Sequence, residues 1–242
     1  YLSPVPNFSN DVEELSLNDI GKAQTVIHFI AENEHRENFD LTKVRTGIEK
    51  TFPGVHCDVG GAYEDGEEVW EELETAWGIS TSKLEALKKE LEEEGWFAEG
   101  ELTITSGFYW SLRSQRDLVK TFSYIPLHFM ADYGIQKDLP IKDKKMMNET
   151  YSIASDELLV RVKNRLEPYV MGDGKPYTFK RKEDLEKAYL GASIPQKKYA
   201  EYQKEAQEQK DLGELRHKYL HWSARREGIG MDPRPNRVRV IH

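Results

Sequence analysis

The sequence contains one cysteine and no long apolar run. Cys57 is the only cysteine among 242 residues, which excludes an intrachain disulfide and a zinc site built from several thiolates. No apolar stretch approaches the roughly 18–20 residues that a membrane-spanning helix requires, and no signal peptide opens the chain. Because the chain begins with Tyr1 and a loop-like segment, we expect it to be a piece of a longer polypeptide.

Clustered positive charge is also scarce. The formal net charge is −9, from 34 Lys and Arg against 43 Asp and Glu. Nucleic-acid binding needs Lys and Arg grouped on one surface to neutralise phosphates, so the composition argues against nucleic acid as a partner. One basic run remains, at 225–242, and its charge pattern predicts a solvated tail. Its arginines are Arg225, Arg226, Arg234, Arg237 and Arg239.

Several well-known catalytic and nucleotide-binding motifs are missing. The chain has no G-x-S-x-G nucleophile elbow, since "GASIP" and "ITSGF" do not fit it, and it has neither a P-loop nor a dinucleotide fingerprint. The sequence therefore predicts no cofactor. If His56 acts as a triad base, its serine is not in this chain.

The pattern of apolar residues predicts an α/β fold with an excess of helix. We expect a partly buried helix over 21–39, a short strand that Pro53 ends, and a loop over 53–63. A loop is expected at 1–19, and an acidic helical stretch at 64–96 with Leu84, Leu87 and Leu91 as its apolar stripe and Ser80 or Ser82 as a cap. A hairpin follows at 98–114, and an amphipathic helix over 116–135 has Pro126 at a kink or in its first turn. The remaining segments are a polar linker at 136–152, helices at 156–167 (capped near Ser155), 182–191 and 197–226, and an edge strand at 236–242.

The segment "FPGVHCDVGGAY", residues 52–63, carries the strongest candidate for chemistry. His56 lies between Gly54 and the pair Gly60–Gly61, and glycines allow backbone conformations and close approaches that other residues do not. An imidazole titrates near pH 6.5, so it is able to accept a proton from an alcohol and return it. A histidine at a strand-to-loop corner is typical of a hydrolase base. The alternative is a loop histidine that donates to a backbone carbonyl.

Other polar residues have both functional and structural interpretations. Asp58 either orients His56, ligates a metal with it, or caps its own turn, as Asp commonly does in glycine-rich loops. Arg36, in "ENEHREN", belongs to a solvated helix end or pairs with a carboxylate beneath the loop. His217 and His221 have the spacing of a zinc-binding helix, but the glutamate of H-E-x-x-H is missing, which favours packing roles.

Four segments together resemble a known family. "VIHFIAENEHRENF", "FPGVHCDVGGAY", "IPLHFMADYGI" and "LRHKYLHWSARREGIG" resemble, in this order, segments of the type VI secretion phospholipase effectors, the first class of lipase effectors. These effectors have an α/β-hydrolase domain. The likeness is specific at 52–63, moderate at 21–39 and 115–135, and weak over 64–100.

The resemblance implies a Ser-Asp-His enzyme that hydrolyses acyl esters of glycerophospholipids. His56 matches the family's catalytic histidine, while the family's serine and acid lie upstream of the matched region. The chain then looks like the C-terminal half of such an enzyme, inactive by itself. It departs from the family at Cys57, where serine is common, and at His35, where arginine is usual. The residues implied to support the loop or orient His56 are Asp58, Gly60, Gly61 and Arg36.

The same resemblance implies a division of the chain and a set of partners. Residues 1–63 would form the C-terminal part of the hydrolase core, and 64–242 a helix-rich accessory region whose segments 115–135 and 212–242 pack back on that core. Expected partners are phospholipid at a membrane surface, the N-terminal half of the enzyme, an immunity protein and a secretion spike protein. We expect secretion by a type VI system and action at the target-cell periplasm or membrane.

The sequence leaves two other functions open. In the first, the chain is a non-catalytic module that docks on a spike or immunity protein, with the acidic helix at 83–95 as its docking face. Alternatively, His56 and Asp58 hold a metal ion that activates water for hydrolysis.

Overall fold

A computed structural model describes residues 19–41, 43, 46–141, 144–189, 196–228 and 230–241. The predicted loop at 1–19 lies almost wholly outside the described residues. The strands and helices are β1 (Ile27–Ala31), β2 (Ile48–Phe52), α1 (His56–Gly60), β3 (Gly66–Ala76), α2 (Ser82–Glu93), β4 (Leu102–Ser106), β5 (Trp110–Leu118), α3 (Tyr124–Gln136), α4 (Lys144–Thr150), α5 (Glu157–Val170), α6 (Lys182–Tyr189) and α7 (Gln196–Lys218).

The described strands form two separate sheets. β1 and β2 make a two-stranded parallel sheet, with Ile27 opposite Ile48 and Ala31 opposite Phe52. β3, β5 and β4 make an antiparallel sheet in that order, and the pairing of β3 with β5 is irregular between Trp70 and Glu74. Parallel and antiparallel strands combined with helices confirm the α/β class.

The helix predicted over 21–39 is wrong, because this region contains strand β1. Its apolar residues fit either period over so short a run. The β-branched and aromatic residues Ile27, Phe29 and Ile30 favour a strand. Strands of parallel sheets are covered on both faces, so they lack the alternation that identifies a half-exposed strand.

The acidic stretch 64–96 is also not one helix, because its first part forms β3 and only its second part forms α2. The composition misled the prediction, since Glu68 on β3 is buried and pairs with Arg116 on β5 at 2.8 Å between Oε2 and Nη2. This cross-strand pair neutralises a charge that sequence alone assigns to solvent. Helix α2 begins after Thr81 rather than after Ser80 or Ser82.

The predicted hairpin and the helices at α2, α3 and α5 exist, with some boundaries shifted. The hairpin exists as β4 and β5, and Leu84 and Leu91 of α2 are buried. The helix predicted over 116–135 begins only at Tyr124, because 116–118 belong to strand β5. Pro126 lies in its first turn, where a missing N–H costs nothing. Helix α5 is capped by Asp156, one residue after the predicted cap, and its carboxylate accepts a hydrogen bond from the Leu159 N–H at 3.0 Å.

The structure corrects the predictions for the linker and for the last part of the chain. The expected linker at 136–152 contains helix α4. The predicted helix at 197–226 ends at Lys218. The predicted edge strand at 236–242 contributes one bridge, between Ile241 and Leu41, after a 3-10 turn at Pro235–Arg237.

The basic run near the C-terminus is not a solvated tail. Arg226 pairs with Glu74 at 2.8 Å between Nε and Oε1, and Arg237 pairs with Glu94 at 2.9 Å between Nη1 and Oε2. The Arg225 guanidinium lies 3.8 Å from the centre of the Trp70 ring. The run therefore packs on the rest of the molecule through ion pairs and cation–π contacts.

One cluster of buried apolar side chains connects both sheets and the main helices. It includes Phe52 at the end of β2, Leu112 on β5, Phe129 on α3, Leu159 on α5 and Leu220 after α7. The segment 219–224 is buried in this core and passes beneath the ends of β1 and β2. In the part of the chain that the structure describes, no helix combines the length and apolarity that a bilayer crossing requires.

Candidate active site

The candidate active site forms where the two parallel strands end. The carboxyl ends of parallel strands lie at the same edge of a sheet, so the residues that follow β1 and β2 meet there. Glu34 follows β1 and His56 follows β2. The Glu34 Oε2 and His56 Nδ1 atoms lie 2.7 Å apart.

The Glu34 carboxylate is buried among hydrogen-bond donors. Arg36 donates from Nε to Oε1 and from Nη2 to Oε2, both at 2.9 Å, and Ser223 Oγ donates to Oε1 at 3.0 Å. Burial alone would raise the pKa of Glu34. Hydrogen bonds from His56, Arg36 and Ser223, together with the Arg36 charge, instead lower its pKa far below the usual range. Glu34 is therefore an ionised acceptor at neutral pH.

The ionised carboxylate sets the tautomer of His56. Nδ1 must carry the proton to donate to Glu34, which leaves a lone pair on Nε2. Arg36 Nη2 also lies 3.1 Å from Nδ1, but two donors do not form a hydrogen bond, so the shorter contact to Glu34 decides. Cys57 Sγ lies 3.0 Å from Nε2. Burial, followed by the charge of Asp58, raises the pKa of Cys57, so its neutral thiol is the donor to Nε2.

The imidazole is anchored on one side and open on the other. Its ring lies 5.2 Å from the Phe39 ring, centre to centre, and the Arg36 guanidinium lies 3.4 Å from the centre of the same Phe39 ring. The His56 side chain is nevertheless 43% exposed. It lines a cavity of about 600 Å³, together with Gly60 and Gly61. An oriented base that borders open space is suited to proton transfer.

The glycine-rich loop contains the short helix α1, which the sequence analysis did not predict. Asp58 caps this turn by accepting from the Val55 N–H at 2.9 Å, and it also bonds His221 Nδ1 at 2.7 Å. A Cβ on Gly54, whose φ is +99°, would lie 2.7 Å from Asp58 Oδ2. Gly61 ends the helix at a φ of 79°. The contacts of Asp58 are thus those of a turn cap, and none of its hydrogen bonds goes to His56.

The two helix-spaced histidines have separate partners. His221 bonds Asp58 and stacks on Tyr63, with ring centres 3.6 Å apart. His217 Nε2 lies 3.0 Å from Glu101 Oε1. Within the described ranges, no group of three or more His, Cys, Asp or Glu is arranged to hold a metal ion.

Sequence reasoning missed two residues of the site, Glu34 and Ser223. A signal existed for Glu34, because it lies two positions before Arg36, and residues two apart on extended chain point to the same side. The suggestion that Arg36 pairs with a carboxylate beneath the loop is correct, and that carboxylate is Glu34. Ser223 is separated from Glu34 by 189 positions, so no local pattern connects the two.

Comparisons with known proteins found similarity to solved structures and none to family models or curated sequences. No protein-family model and no curated protein matches the sequence. Among solved structures, the chain is similar to the structure of the Tle1 effector bound to the VgrG spike from the Type 6 secretion system, with a TM-score of 0.57 and 14% identity. The match covers 90% of this chain and 50% of that chain. It shows a shared fold, in which this chain spans about half the length of its neighbour.

Proposed function

We propose that this chain supplies the general base and the orienting acid of a serine-type phospholipase, an effector of type VI secretion. The observation that carries the proposal is the contact of 2.7 Å between buried Glu34 and Nδ1 of His56, a residue that lines a cavity. The family resemblance places the acid upstream, whereas these contacts support Glu34 in that role. The fold shared with the Tle1 effector supports an α/β-hydrolase core and an effector function.

The proposed reaction uses His56 Nε2 twice. A serine from the remainder of the enzyme, upstream of this chain, displaces the Cys57 thiol and donates its proton to Nε2, while its oxygen bonds to the acyl carbonyl carbon. The ester C–O bond then breaks, and Nε2 returns the proton to the departing alcohol. Water repeats the sequence and releases the fatty acid. Glu34 holds the tautomer and stabilises the imidazolium that forms in each half-reaction.

The rest of the expected biology belongs to the same proposal. Residues 1–63 belong to the hydrolase core and 64–242 to the accessory region, and the remainder of the enzyme brings the serine. A spike protein carries the effector, since the structural neighbour was solved with its spike. An immunity protein protects the producing cell, and the enzyme acts on phospholipid at the periplasm or membrane of the target cell.

The test is the release of fatty acid from phospholipid vesicles by the complete protein. We expect His56→Gln to lower turnover by roughly 10⁶-fold, as removal of a triad histidine does. His217→Gln is the matched control, because His217 also pairs with a glutamate but does not line the cavity. Wild-type turnover by His56→Gln would refute the assignment.

Cys57 is the internal rival for the role of nucleophile, because its sulfur already contacts Nε2. Its raised pKa opposes this role, since the thiolate is the nucleophilic form. We expect Cys57→Ser to keep turnover within about threefold of wild type and a fluorophosphonate to label the complete protein. A 100-fold loss in Cys57→Ser would transfer the nucleophile role to the thiol.

A second candidate function is that of a docking module for a spike or immunity protein. The observation that favours it is an exposed aromatic tip formed by Trp77 (70% exposed) and Phe108 (91% exposed), whose ring centres lie 5.8 Å apart. Trp77 directly follows β3, five residues before the start of the acidic helix α2. A module of this kind would retain partner binding in His56→Gln and show no hydrolysis in the wild-type protein, which separates the two functions.

A further inference from the structure

The cavity beside His56 differs from the rest of this acidic molecule in the charges of the residues that line it. Among the described residues that line it there is no aspartate or glutamate, although the chain contains 43 of them and the two lining histidines each contact a glutamate. Its lining is mostly apolar, and its polar members are two histidines, one arginine and three hydroxyl-bearing residues, namely His28, His56, Arg239, Ser123, Tyr124 and Tyr151. An acidic protein that keeps carboxylates out of one cavity has a cavity suited to an anion.

Arg239 is the cation of this cavity, and it differs from the other arginines near the C-terminus. Its Nε donates to the Phe39 carbonyl at 2.8 Å and its Nη1 to the Ala31 carbonyl at 3.2 Å. Among the described residues, no carboxylate lies within 4.0 Å of its guanidinium, the distance that defines the other ion pairs. A guanidinium has five N–H donors, so Arg239 retains donors for an anionic ligand.

Two carboxylates, Glu34 and Asp40, act on Arg239 electrostatically, but each is engaged by other groups. Glu34 is held by Arg36 and His56. Asp40 bonds Arg234. Burial lowers the pKa of Arg239, and a bound anion would offset this effect.

An apolar groove leads away from the Arg239 end. Leu127 and Met130 of α3 line both this cavity and a second one of about 660 Å³. The second cavity is lined mainly by apolar side chains, including Ile27, Leu139 and Ile141. Leu127 and Met130 are 38% and 40% exposed, so their side chains are available to a hydrocarbon chain.

We propose that the two cavities together bind an anionic amphiphile, with a phosphate group on Arg239 and a single hydrocarbon chain along Leu127 and Met130. This inference rests on the proposed function and deepens it, because it assigns which end of a phospholipid lies near His56. A planar guanidinium binds two oxygens of a phosphate at once. Arg239 is thus a residue that selects phospholipid over neutral glyceride.

The test measures binding and needs no turnover. The complete protein is titrated calorimetrically with octyl phosphate and with octyl glucoside, neither of which carries an acyl ester, each below its micelle concentration. We expect octyl phosphate to bind about tenfold more tightly than the glucoside, the effect of one charge-assisted contact. Arg239→Met should abolish this preference without changing glucoside affinity. Arg113→Met, at a half-buried position on β5 that lines neither cavity, is the control and should keep the preference.

Additional variants and ligands test the hydrocarbon site and the phosphate site separately. Leu127→Gln should lower the affinity for octyl phosphate and leave the affinity for inorganic phosphate unchanged. If inorganic phosphate binds the wild type as tightly as octyl phosphate does, the proposed hydrocarbon site is wrong. Octanoate that binds as tightly as octyl phosphate overturns the assignment of phosphate. If Arg239→Met does not fold, the salt dependence of the wild type decides, since octyl phosphate affinity must fall with NaCl and glucoside affinity must not. A preference found without phospholipase activity refutes the proposed function alone.

Discussion

At the scale of the residue, the buried carboxylate of Glu34 is the most consequential feature of the site. A carboxylate removed from water needs partners for its charge, and Glu34 has them in Arg36, His56 and Ser223. These contacts fix which oxygen faces the imidazole. The same contacts make Glu34 a source of stability that depends on pH.

The lowered pKa of Glu34 predicts acid sensitivity. A carboxyl group whose pKa is lower in the folded state stabilises the fold above its unfolded pKa, near 4.5, and loses that contribution as the pH falls through the folded value. Glu34→Gln should therefore unfold more easily at neutral pH, by about 3 kcal/mol, because Arg36 is left without its buried partner. Below pH 4.5 the variant should lose less stability than the wild type.

Urea unfolding followed by circular dichroism, at neutral pH and in steps below pH 4.5, measures both effects. Glu37→Gln, at an exposed position three residues away, is the control and should follow the wild type. Parallel acid curves for wild type and Glu34→Gln would show that Glu34 is not held ionised by its partners.

At the scale of the element, the short segment after α7 holds the site together from beneath. The Ser223 hydroxyl bonds Glu34, the Trp222 N–H donates to Glu68 on β3 at 2.9 Å, and the His221 N–H donates to Asp58 Oδ2 at 3.1 Å. One extended segment thus joins the ends of β1 and β2 to the antiparallel sheet. Asp58 is the point where this segment fastens the loop that carries His56.

We expect Asp58→Ala to destabilise the fold by about 3 kcal/mol. The substitution leaves the buried N–H groups of Val55 and His221 without their acceptor, and each such loss costs about 1–3 kcal/mol. Thermal and urea unfolding measure the change. Glu93→Ala is the control: the Glu93 side chain is 66% exposed and its partner among the described residues is Lys89, so the substitution should change stability by less than about 0.5 kcal/mol. Equal effects of the two substitutions would contradict the role of Asp58.

At the scale of the whole molecule, one apolar core connects the parallel sheet to the antiparallel sheet and the long helices. The boundary predicted at residue 63 therefore falls within a shared core. The division into residues 1–63 and 64–242 stays a prediction, and unfolding experiments test whether the two regions are independently stable.

The shared core predicts a single unfolding transition. Leu220, which is fully buried, contacts this core from the C-terminal segment, so Leu220→Ala should lower the free energy of unfolding by about 3 kcal/mol. The change should be equal when it is followed by tryptophan fluorescence and by far-ultraviolet circular dichroism. Leu139→Ala, at a residue that is 58% exposed, should change it by less than about 0.5 kcal/mol. Two separated transitions would instead favour independent regions.

The sequence by itself determined the features that depend on near neighbours. The hairpin of β4 and β5, the helix around Pro126 and the short strand before Pro53 follow from turn residues and apolar spacing. Strands β1 and β3 were mistaken for helix, because an isolated parallel strand and an acidic strand both lack the alternation that marks a strand in sequence.

Only the tertiary structure decided what lies beside His56 and Arg239. Glu34 reaches His56 because two parallel strands end together, and Ser223 reaches Glu34 across 189 positions of chain. Five arginines close in sequence receive different environments, and Arg239 alone among them lines the cavity. The physical reason is the same in each case: the ionisation, burial and pairing of a side chain depend on its neighbours in space, which local sequence patterns do not contain.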